Sequence, residues 1–308
     1  MFIGTVQQIW RHPVKSMAGE KLNECTVGPL GIPGDRGWAL RDEKTGEITN
    51  GKLTPMLMEC SARYLEQPTQ GTSPKVRITF PDVTQVGSDD ADVHSRLSQV
   101  LGKVVTLWPL QPASNKSHYR RKNAAARTLG RLSRFKVFRQ ALPRIISLTN
   151  QEAGVREMFS REAGEPIPNL SLLPAEVLEF TSPLGTYFDA YPINVLTTAS
   201  LAAMSRFNPN AVWDVRRFRP NFLIETEKEF EGLVESGWSG RFLRVGSVEL
   251  KCEIPCARCG MTSHGHAGLP KDPSVLRSIV KDANQNLGVY ASVVQSGGIS
   301  VGDPVELL

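Results

Sequence analysis

The chain has 308 residues, of which 40% are hydrophobic and 22% charged, and its formal net charge is +5. Such a chain is long enough for two domains, and no apolar run approaches the ~18 residues that a membrane-spanning helix needs. The N-terminus lacks the basic start and long apolar stretch of a secretory signal, and the five cysteines are an odd number. We therefore expect a cytoplasmic protein with a free thiol and without a membrane partner.

The first third of the chain is predicted to be β-rich. Short β-branched or aromatic runs, broken by Gly and Pro, occur at residues 4–10, 76–80 and 104–108. They predict a barrel-like N-terminal domain over residues 1–110 and a second domain over residues 111–308.

Two polar groups stand out within this first domain. HPVKSM places Lys15 and Ser16 directly after the first strand, although a lysine there is often a solvated side chain. GIPGDRGW places Arg36 in a glycine-rich turn, which also fits a hairpin with a surface Asp–Arg pair. Neither group identifies a site by itself.

A strongly basic segment covers residues 116–144. It contains ten Lys or Arg residues, and no Asp or Glu occurs from Val93 to Gln151. The sequence favours a surface helix or a mobile flap here, interrupted at Gly130. A solvated face, a surface for an acidic partner and a nucleic-acid surface all fit such a block. The absence of a recognised nucleic-acid-binding motif disfavours the last.

The second half of the chain mixes helices and strands. One helix is predicted to begin at Thr149 or Asn150. Another begins at Thr197 or Thr198, where the hydroxyls either cap the helix or form a phosphate site. Strands are predicted at 221–225, 245–254, 288–294 and 304–308, with a turn-rich connection over 295–304. Strands interleaved with a few helices, without a regular βαβ rhythm, predict an α+β fold with a β-barrel core.

Cys256 and Cys259 lie at metal-ligand spacing after a predicted strand. A lone C-x-x-C pair is half of a zinc site, a redox pair or two incidental thiols. His264 and His266 follow, so a zinc-stabilised binding module is conceivable, but the H-x-H spacing departs from the usual zinc pattern. The βαβ setting of a redox pair is missing. The sequence leaves open whether Cys256 and the two histidines belong to a site.

Three arginines crowd the entry to the strand at 221–225. Arg216, Arg217 and Arg219 precede Asn221. Arginine presents a planar fork of donors that suits phosphate, and asparagine supplies both a donor and an acceptor, as a pterin edge requires. Arginines this close repel one another unless an anion lies among them. This cluster is therefore the most informative one in the sequence.

Taken in order, HPVKS, GDRGW, LTTASL, RFRPN and CARC resemble the motifs of the MOSC family, named for the C-terminal domain of molybdenum cofactor sulfurases. The resemblance covers nearly the whole chain and implies an N-terminal β-barrel domain, a MOSC domain and a molybdenum-pterin cofactor. The amidoxime-reducing members of the family reduce N-hydroxylated compounds at molybdenum. A molybdenum-dependent reductase is thus the leading expectation. The alternative is a carrier of sulfur or molybdenum cofactor that uses a persulfide on Cys259 and turns nothing over.

The family's cofactor contacts correspond to particular positions of this sequence. By resemblance, Cys259 is the molybdenum ligand and the catalytic residue. The cofactor-binding residues that the resemblance implies are Lys15, Ser16, Arg36, Thr197, Thr198, Arg219, Asn221 and Arg258. A phosphate and a dithiolene need several cationic or N–H donors, and a soft thiolate suits a sulfur-rich metal centre.

Three features depart from the family pattern. After the ligand cysteine the chain reads GMTSHGHAGLPKDP instead of an L-T-T-V-D-P-like stretch, which leaves substrate handling on that side open. The basic segment is longer than in the family. No plant-type ferredoxin cysteine pattern occurs before Leu308, so electrons are expected from a separate donor protein. We expect an acidic donor that binds the basic segment, with a rate that falls as salt rises.

Overall fold

The structure is a computed structural model and describes residues 1–148, 151–266 and 268–308. The strands are β1 (Phe2–Arg11), β2 (Glu20–Leu22), β3 (Glu24–Val27), β4 (Trp38–Asp42), β5 (Glu47–Ile48), β6 (Ser61–Tyr64), β7 (Val76–Thr79), β8 (Gln85–Gly87), β9 (Val105–Pro109), β10 (Ile193–Thr197), β11 (Phe222–Thr226), β12 (Phe242–Val245), β13 (Val248–Ala257), β14 (Asn286–Gln295), β15 (Gly297–Ser300) and β16 (Pro304–Leu307). The α-helices are α1 (Val93–Leu101), α2 (Lys116–Tyr119), α3 (Ala124–Leu132), α4 (Lys136–Leu148), α5 (Gln151–Phe159), α6 (Glu176–Glu179), α7 (Thr198–Phe207) and α8 (Pro273–Asp282). Short 3-10 helices are Pro55–Glu59, Leu170–Leu172, Val215–Arg217, Val234–Gly237 and Gly260–Ser263.

Seven strands close into a β-barrel in the order β1, β11, β10, β14, β13, β12, β16 and back to β1. Only β10 and β11 are parallel neighbours in this ring of described strands; the others are antiparallel. The barrel is filled by apolar side chains, to which β1 contributes Ile3, Val6 and Ile9. Closure leaves these seven strands without a free edge and confirms the predicted α+β fold with a barrel core.

The first part of the chain adds a second core beside the barrel. Two three-stranded sheets, β5-β4-β9 and β6-β7-β8, pack with α1 around buried apolar side chains such as Met17, Leu40 and Ile78. Strand β1 belongs to the barrel, where it pairs with β11 and β16 from the other end of the sequence. The N-terminal residues therefore help to build the same barrel as the C-terminal ones.

The basic segment opens a helical unit, residues 116–180, that comprises α2 to α6. Gly130 lies within α3 and does not interrupt it, contrary to the sequence prediction. A Cβ at Gly130 would lie 2.4 Å from the backbone nitrogen of Glu179, so glycine allows α6 to approach α3. The predicted helix start at Thr149 or Asn150 lies outside the described residues. Among the helices of the described ranges, none is long and apolar enough to cross a membrane.

The strand predictions fail at two turns. The segment 245–254 is predicted as one strand, but Gly246, with a positive φ of 54°, turns the chain between β12 and β13. The segment 295–304 is predicted as turns, yet it contains β15, which pairs with β3. Glycine-rich β15 lacks the side-chain pattern of a strand, and only its distant partner reveals it.

Candidate functional site

A pocket opens at the end of the barrel where β13 ends and where β10, β11 and β14 begin. The sequence-predicted residues that line it are Arg36, Arg219, Asn221, Arg258 and Cys259. Because β11 is the neighbour of β10, and β14 pairs with both β10 and β13, residues from distant parts of the chain meet here. We call this cleft the site pocket.

Cys259 lies in the loop that follows β13 and is half-buried. Its carbonyl accepts hydrogen bonds from both the backbone N–H and the hydroxyl of Thr262, each at 3.1 Å. These bonds hold the loop backbone in place and do not involve the Cys259 thiol. Cys259 lines the pocket. A Cβ at the next residue, Gly260, would lie 2.3 Å from the Ser160 hydroxyl, so the segment after α5 packs closely against this loop.

Cys256 has a different environment from Cys259. It is buried beside Tyr290, and burial raises the pKa of its thiol. A thiol that keeps its proton is a poor nucleophile and a poor metal ligand. The two cysteines therefore do not have equivalent roles.

The two histidines after Cys259 do not share a metal site with the cysteines. The Nδ1 atom of His266 lies 3.2 Å from the carbonyl oxygen of His264, and burial together with the nearby Arg219 cation lowers the pKa of His266 to about 4. Within the described ranges, no three His, Cys, Asp or Glu side chains are placed to hold a metal ion. Cys256, Cys259 and the two histidines thus do not form the four-ligand group that a zinc module requires.

Two buried arginines that line the site pocket have donors without partners in the described structure. Arg258 donates to the carbonyls of Leu287 at 2.7 Å and Phe218 at 2.8 Å, and Arg219 donates to the carbonyl of Met17. The second terminal nitrogen, Nη2, of each arginine is buried and has no hydrogen-bond partner in the described structure. A buried polar group without a partner is costly, so this pair of donors fits an anionic ligand.

The electrostatics of Arg219 support the same conclusion. Burial and the neighbouring Arg36 cation lower its pKa to about 9. Its backbone also has a positive φ of 51°, which is uncommon for a residue with a Cβ. Asp35 and Asp189 offset only part of the cost of burial, so an anionic ligand would further stabilise the Arg219 cation.

Asp35 organises the turn that carries Arg36. Its carboxylate accepts hydrogen bonds from the backbone N–H of His12 at 2.7 Å, from the Asn221 amide at 2.9 Å and from the Arg36 guanidinium. The Asn221 amide oxygen accepts from the backbone N–H of Asn194 at 3.0 Å. The Asn221 side chain is therefore fully used by protein groups, and it holds the pocket wall together.

Lys15 lies at the edge of the site pocket. Its buried ammonium donates to the carbonyl of Tyr187 at 2.7 Å and to the carboxylate of Asp189 at 2.6 Å. Desolvation opposes the charge on Asp189, but the ammonium outweighs it and holds the pKa of this carboxyl well below its usual range. Asp189 lines the pocket and is 62% exposed, so an ionised carboxylate faces the opening. The adjacent Ser16 is buried, and its hydroxyl accepts from the backbone N–H of Gly51 at 2.9 Å.

The structure does not bring Thr197 and Thr198 to the site pocket. Thr197 caps α7 by accepting from the backbone N–H of Ser200, and its hydroxyl donates to the buried carboxylate of Glu235 at 2.7 Å. Thr198 accepts from the backbone N–H of Thr226 at 3.1 Å. Both hydroxyls are thus occupied by protein groups, and the predicted helix start is confirmed in its capping role.

The three arginines that crowd the sequence before β11 have different partners in the structure. Arg216 forms an ion pair with Asp214 at 2.8 Å. Arg217 also lines the pocket, but it donates to the carbonyls of Val212, His264 and Pro270 and so fixes the loop after Cys259. Only Arg219 of the three has a terminal nitrogen without a partner in the described structure.

Sequence reasoning missed several residues of the pocket wall. Asn194, at the start of β10, has a buried amide oxygen without a partner among the described residues. Tyr290 of β14 faces the same space, and burial raises its pKa well above the usual value. Arg161, which follows α5, donates to the carbonyl of Arg258 at 2.9 Å and so holds the peptide before Cys259. These residues belong to no recognisable motif and are identified only by the fold.

The pocket thus combines a half-buried thiol, two unpartnered cationic donors, one unpartnered amide acceptor and a protonated phenol. This set fits a ligand that carries an anionic group, a hydrogen-bonding ring edge and a centre that takes a thiolate.

Known proteins resemble the chain over nearly its full length. The MOSC N-terminal beta barrel domain matches residues 3–117, and the MOSC domain matches residues 185–306. "Mitochondrial amidoxime reducing component 2" of Homo sapiens is 25% identical over 98% of this chain and 83% of its own length. "Mitochondrial amidoxime-reducing component 1" of Danio rerio is 31% identical over 39% of this chain and 38% of its own length. "Molybdenum cofactor sulfurase 2" of Culex quinquefasciatus is 33% identical over 27% of this chain and 10% of its own length.

Proposed function

The chain belongs to the MOSC family and carries the family's N-terminal beta barrel domain before its MOSC domain, and on this premise we propose that it is a molybdenum-cofactor-dependent reductase. Its cofactor is a molybdenum-pterin held in the site pocket, with Cys259 as the protein ligand of the metal. Its substrates are small N-hydroxylated or N-oxide-type compounds. The proposal is supported by relatives that are named for molybdenum cofactor or amidoxime chemistry.

One observation carries the cofactor assignment: two buried guanidinium nitrogens without partners in the described structure lie around the pocket that contains a half-buried thiol. Arg219 and Arg258 would hold the phosphate and pterin, because each keeps one buried cationic Nη2 donor without a partner in the described structure, and a charged N–H donor suits phosphate. The unpartnered amide oxygen of Asn194 would accept from the pterin edge. The Cys259 thiolate is the soft ligand that a sulfur-rich metal centre takes.

When bound, the cofactor supplies two-electron redox chemistry, and the protein supplies orientation and electrostatics. Tyr290 keeps its proton, since burial raises its pKa, and its hydroxyl interacts with the thiol of Cys256 in the pocket wall. Asp189 stays ionised beside Lys15, so it does not act as the acid. The N–O bond of the substrate breaks as two electrons arrive from a separate donor protein and two protons arrive from solvent. Its oxygen leaves as water, and the nitrogen is left reduced.

The second candidate function is a carrier of sulfur or molybdenum cofactor. It is favoured by the half-buried Cys259 thiol and by the relatives named molybdenum cofactor sulfurase. In that function Cys259 would receive a sulfane sulfur atom from a donor persulfide and pass it on unchanged. The protein would then contain sulfane sulfur and would reduce no N–O bond.

A turnover assay distinguishes the reductase from the carrier. The holoprotein, made in a host that synthesises molybdenum cofactor, is mixed with dithionite and an aromatic amidoxime, and the amidine product is measured. We expect one product molecule for each dithionite-derived electron pair. The Cys259→Ser variant, prepared in parallel, should form none. A molybdenum-containing wild type that yields no product would favour the carrier.

Location and partner complete the proposal. We place the protein in the cytoplasm, because its odd number of cysteines suits a reducing compartment, whereas the relatives' names concern mitochondria. We assign electron delivery to a separate acidic protein, because ten Lys or Arg residues lie within residues 116–144.

A further inference from the structure

The turn between α3 and α4 exposes three large apolar side chains within six residues. Phe135 is 68% exposed and Val137 is 80% exposed, and Leu132 is the third. We call Leu132, Phe135 and Val137 the apolar tip. Single exposed apolar residues are ordinary on a protein surface, but a contiguous group of large ones marks an interaction surface.

Cations surround the apolar tip. Arg131, Arg134 and Lys136 alternate with its members, and all three are exposed. Arg131 and Arg134 both donate to the buried carboxylate of Glu179, at 3.3 Å and 2.7 Å. Three cations against one carboxylate leave a local net charge of two. An apolar centre with a charged rim is the usual anatomy of a transient protein interface.

The apolar tip belongs to the helical unit, whose C-terminal part packs behind the loop that carries Cys259. Phe138, near the start of α4, and Phe159, at the end of α5, pack against the same apolar cluster. Directly after Phe159, Ser160 packs against Gly260 and Arg161 holds the carbonyl of Arg258. A protein docked on this unit therefore contacts the element that touches the Cys259 loop.

We infer that the apolar tip and its three cations form the docking surface for the acidic electron-donor protein, an inference that rests on the proposed function. The small charge around the apolar tip favours a protein partner over a lipid surface. Basic clusters that bind anionic membranes contain about four to eight Lys or Arg residues, each contributing about 1 kcal/mol. Only three exposed cations border the tip itself, and Arg139 of the same segment is bound to protein carbonyls, so the tip has fewer cations than such a cluster. Its local charge of two is enough to steer an acidic protein into an encounter. Apolar contact then holds the complex, so loss of the tip raises the dissociation rate.

The test compares two surface variants of the holoprotein with a flavodoxin as the acidic donor. One variant is the double change Phe135→Ser and Val137→Ser. The control is Val83→Ser, because Val83 is 81% exposed and lies between β7 and β8, outside the helical unit. Stopped-flow absorbance follows oxidation of reduced flavodoxin, and a parallel series uses dithionite as the reductant.

We expect the double variant to oxidise flavodoxin about tenfold more slowly, as when one strong interface contact is lost, and to keep its dithionite rate. The Val83→Ser control should match wild type in both series. An unchanged flavodoxin rate in the double variant overturns the inference, and so does a wild type that dithionite reduces but flavodoxin does not. Equal losses with both reductants in a variant that unfolds at the wild-type temperature overturn it as well, because a docking surface slows only the protein donor.

Two further outcomes are assigned in advance. If wild type cosediments with vesicles of phosphatidylcholine and phosphatidylserine and the double variant does not, the tip is a membrane contact and the inference is wrong. If the holoprotein oxidises flavodoxin through the tip but reduces no amidoxime, the docking surface stands and the proposed reaction fails.

Discussion

The cations of the site pocket and those of the helical unit look alike in the sequence but differ in the structure. In the helical unit, Arg131 and Arg134 share the Glu179 carboxylate, and Arg139 donates to the carbonyls of Ser171 and Leu173. In the site pocket, Arg219 and Arg258 keep buried nitrogens without partners in the described structure. Arg131, Arg134 and Arg139 of the basic segment thus find partners within the protein, although the buried Nε of Arg120 has none in the described structure. In the site pocket, two arginines that are distant in sequence and brought together by the barrel each keep an unpartnered terminal nitrogen.

The largest expected effect comes from the pocket's thiol. Cys259→Ser should abolish molybdenum binding and leave the fold unchanged, because the side chain is a half-buried ligand and not a core contact. Metal analysis and thermal unfolding of the purified variant measure both. Cys256→Ser is the matched comparison and should retain most of the metal, since Cys256 is buried as a protonated thiol. Equal loss of molybdenum in both variants would indicate that the two cysteines act together, as a dithiol or as zinc ligands.

Replacing single cations compares the site pocket with the helical unit directly. Arg219→Ala should weaken cofactor retention roughly ten- to hundredfold, because a buried charged hydrogen bond contributes about 1.5–3 kcal/mol. Lys15→Ala should act in the same direction but less, since Lys is a point charge already paired with Asp189. Arg139→Ala, from the helical unit, should retain the cofactor as wild type does. Equilibrium dialysis of the loaded proteins tests the series, and normal occupancy after the Arg219 change would mean that the pocket is misassigned.

Acid stability sharpens the contrast, because a buried histidine with a lowered pKa lies in each region, His266 beside the pocket and His118 in the helical unit. The pKa of His266 is lowered to about 4 by burial and Arg219, and the pKa of His118 to about 4 by burial and Arg41. Below about pH 6.5 an unfolded histidine binds a proton that the folded one refuses, so the free energy of unfolding falls as the pH drops toward 4. Between pH 6.5 and 5, each contributes a loss of about 2 kcal/mol.

His266→Gln and His118→Gln should each flatten the pH profile of chemical denaturation. A bound anion offsets the Arg219 charge, so the flattening by His266→Gln should be smaller in the cofactor-loaded protein than in the apoprotein. The flattening by His118→Gln should be the same in both. A cofactor that changes both histidines equally, or neither, is not bound beside Arg219.

The smallest expected effect concerns the paired cations. Glu179→Gln leaves Arg131 and Arg134 without their shared carboxylate and should lower the free energy of unfolding by about 1 kcal/mol, a modest value because both arginines are largely exposed. Cofactor retention should not change. Retention that fell with stability would show that the helical unit controls the site more tightly than its contacts through Ser160 and Arg161 suggest.

Local patterns predict much of this molecule and miss its long-range contacts. Alternating apolar residues predict β1, β7, β9, β11, β14 and β16, and the hydroxyl at Thr197 predicts the start of α7. The prediction that Gly130 interrupts a helix is wrong. A glycine is needed there because the Glu179 backbone approaches it, and Glu179 lies 49 positions away in the sequence. β15 is missed because its partner β3 lies near the other end of the chain.

The site shows the same division. Family motifs place Cys259, Arg219 and Arg258 in one pocket, since those residues carry a recognisable order along the chain. Asn194 and Tyr290 are missed, because an asparagine or tyrosine in an apolar strand carries no signal until β10 and β14 pair. Thr197 illustrates a related ambiguity: the structure shows its capping role, and a capping hydroxyl and a phosphate-binding hydroxyl look identical in sequence.

The most direct test of the central claim is the molybdenum and pterin content of the wild-type protein, purified from a host that makes the cofactor. Inductively coupled plasma mass spectrometry gives the metal, and fluorescence of the oxidised pterin gives the cofactor, both per chain. If Cys259, Arg219 and Arg258 form a cofactor pocket, molybdenum and pterin should approach one each per chain and fall together in Arg219→Ala. Stoichiometric zinc, or sulfane sulfur without molybdenum and pterin, would contradict the assignment.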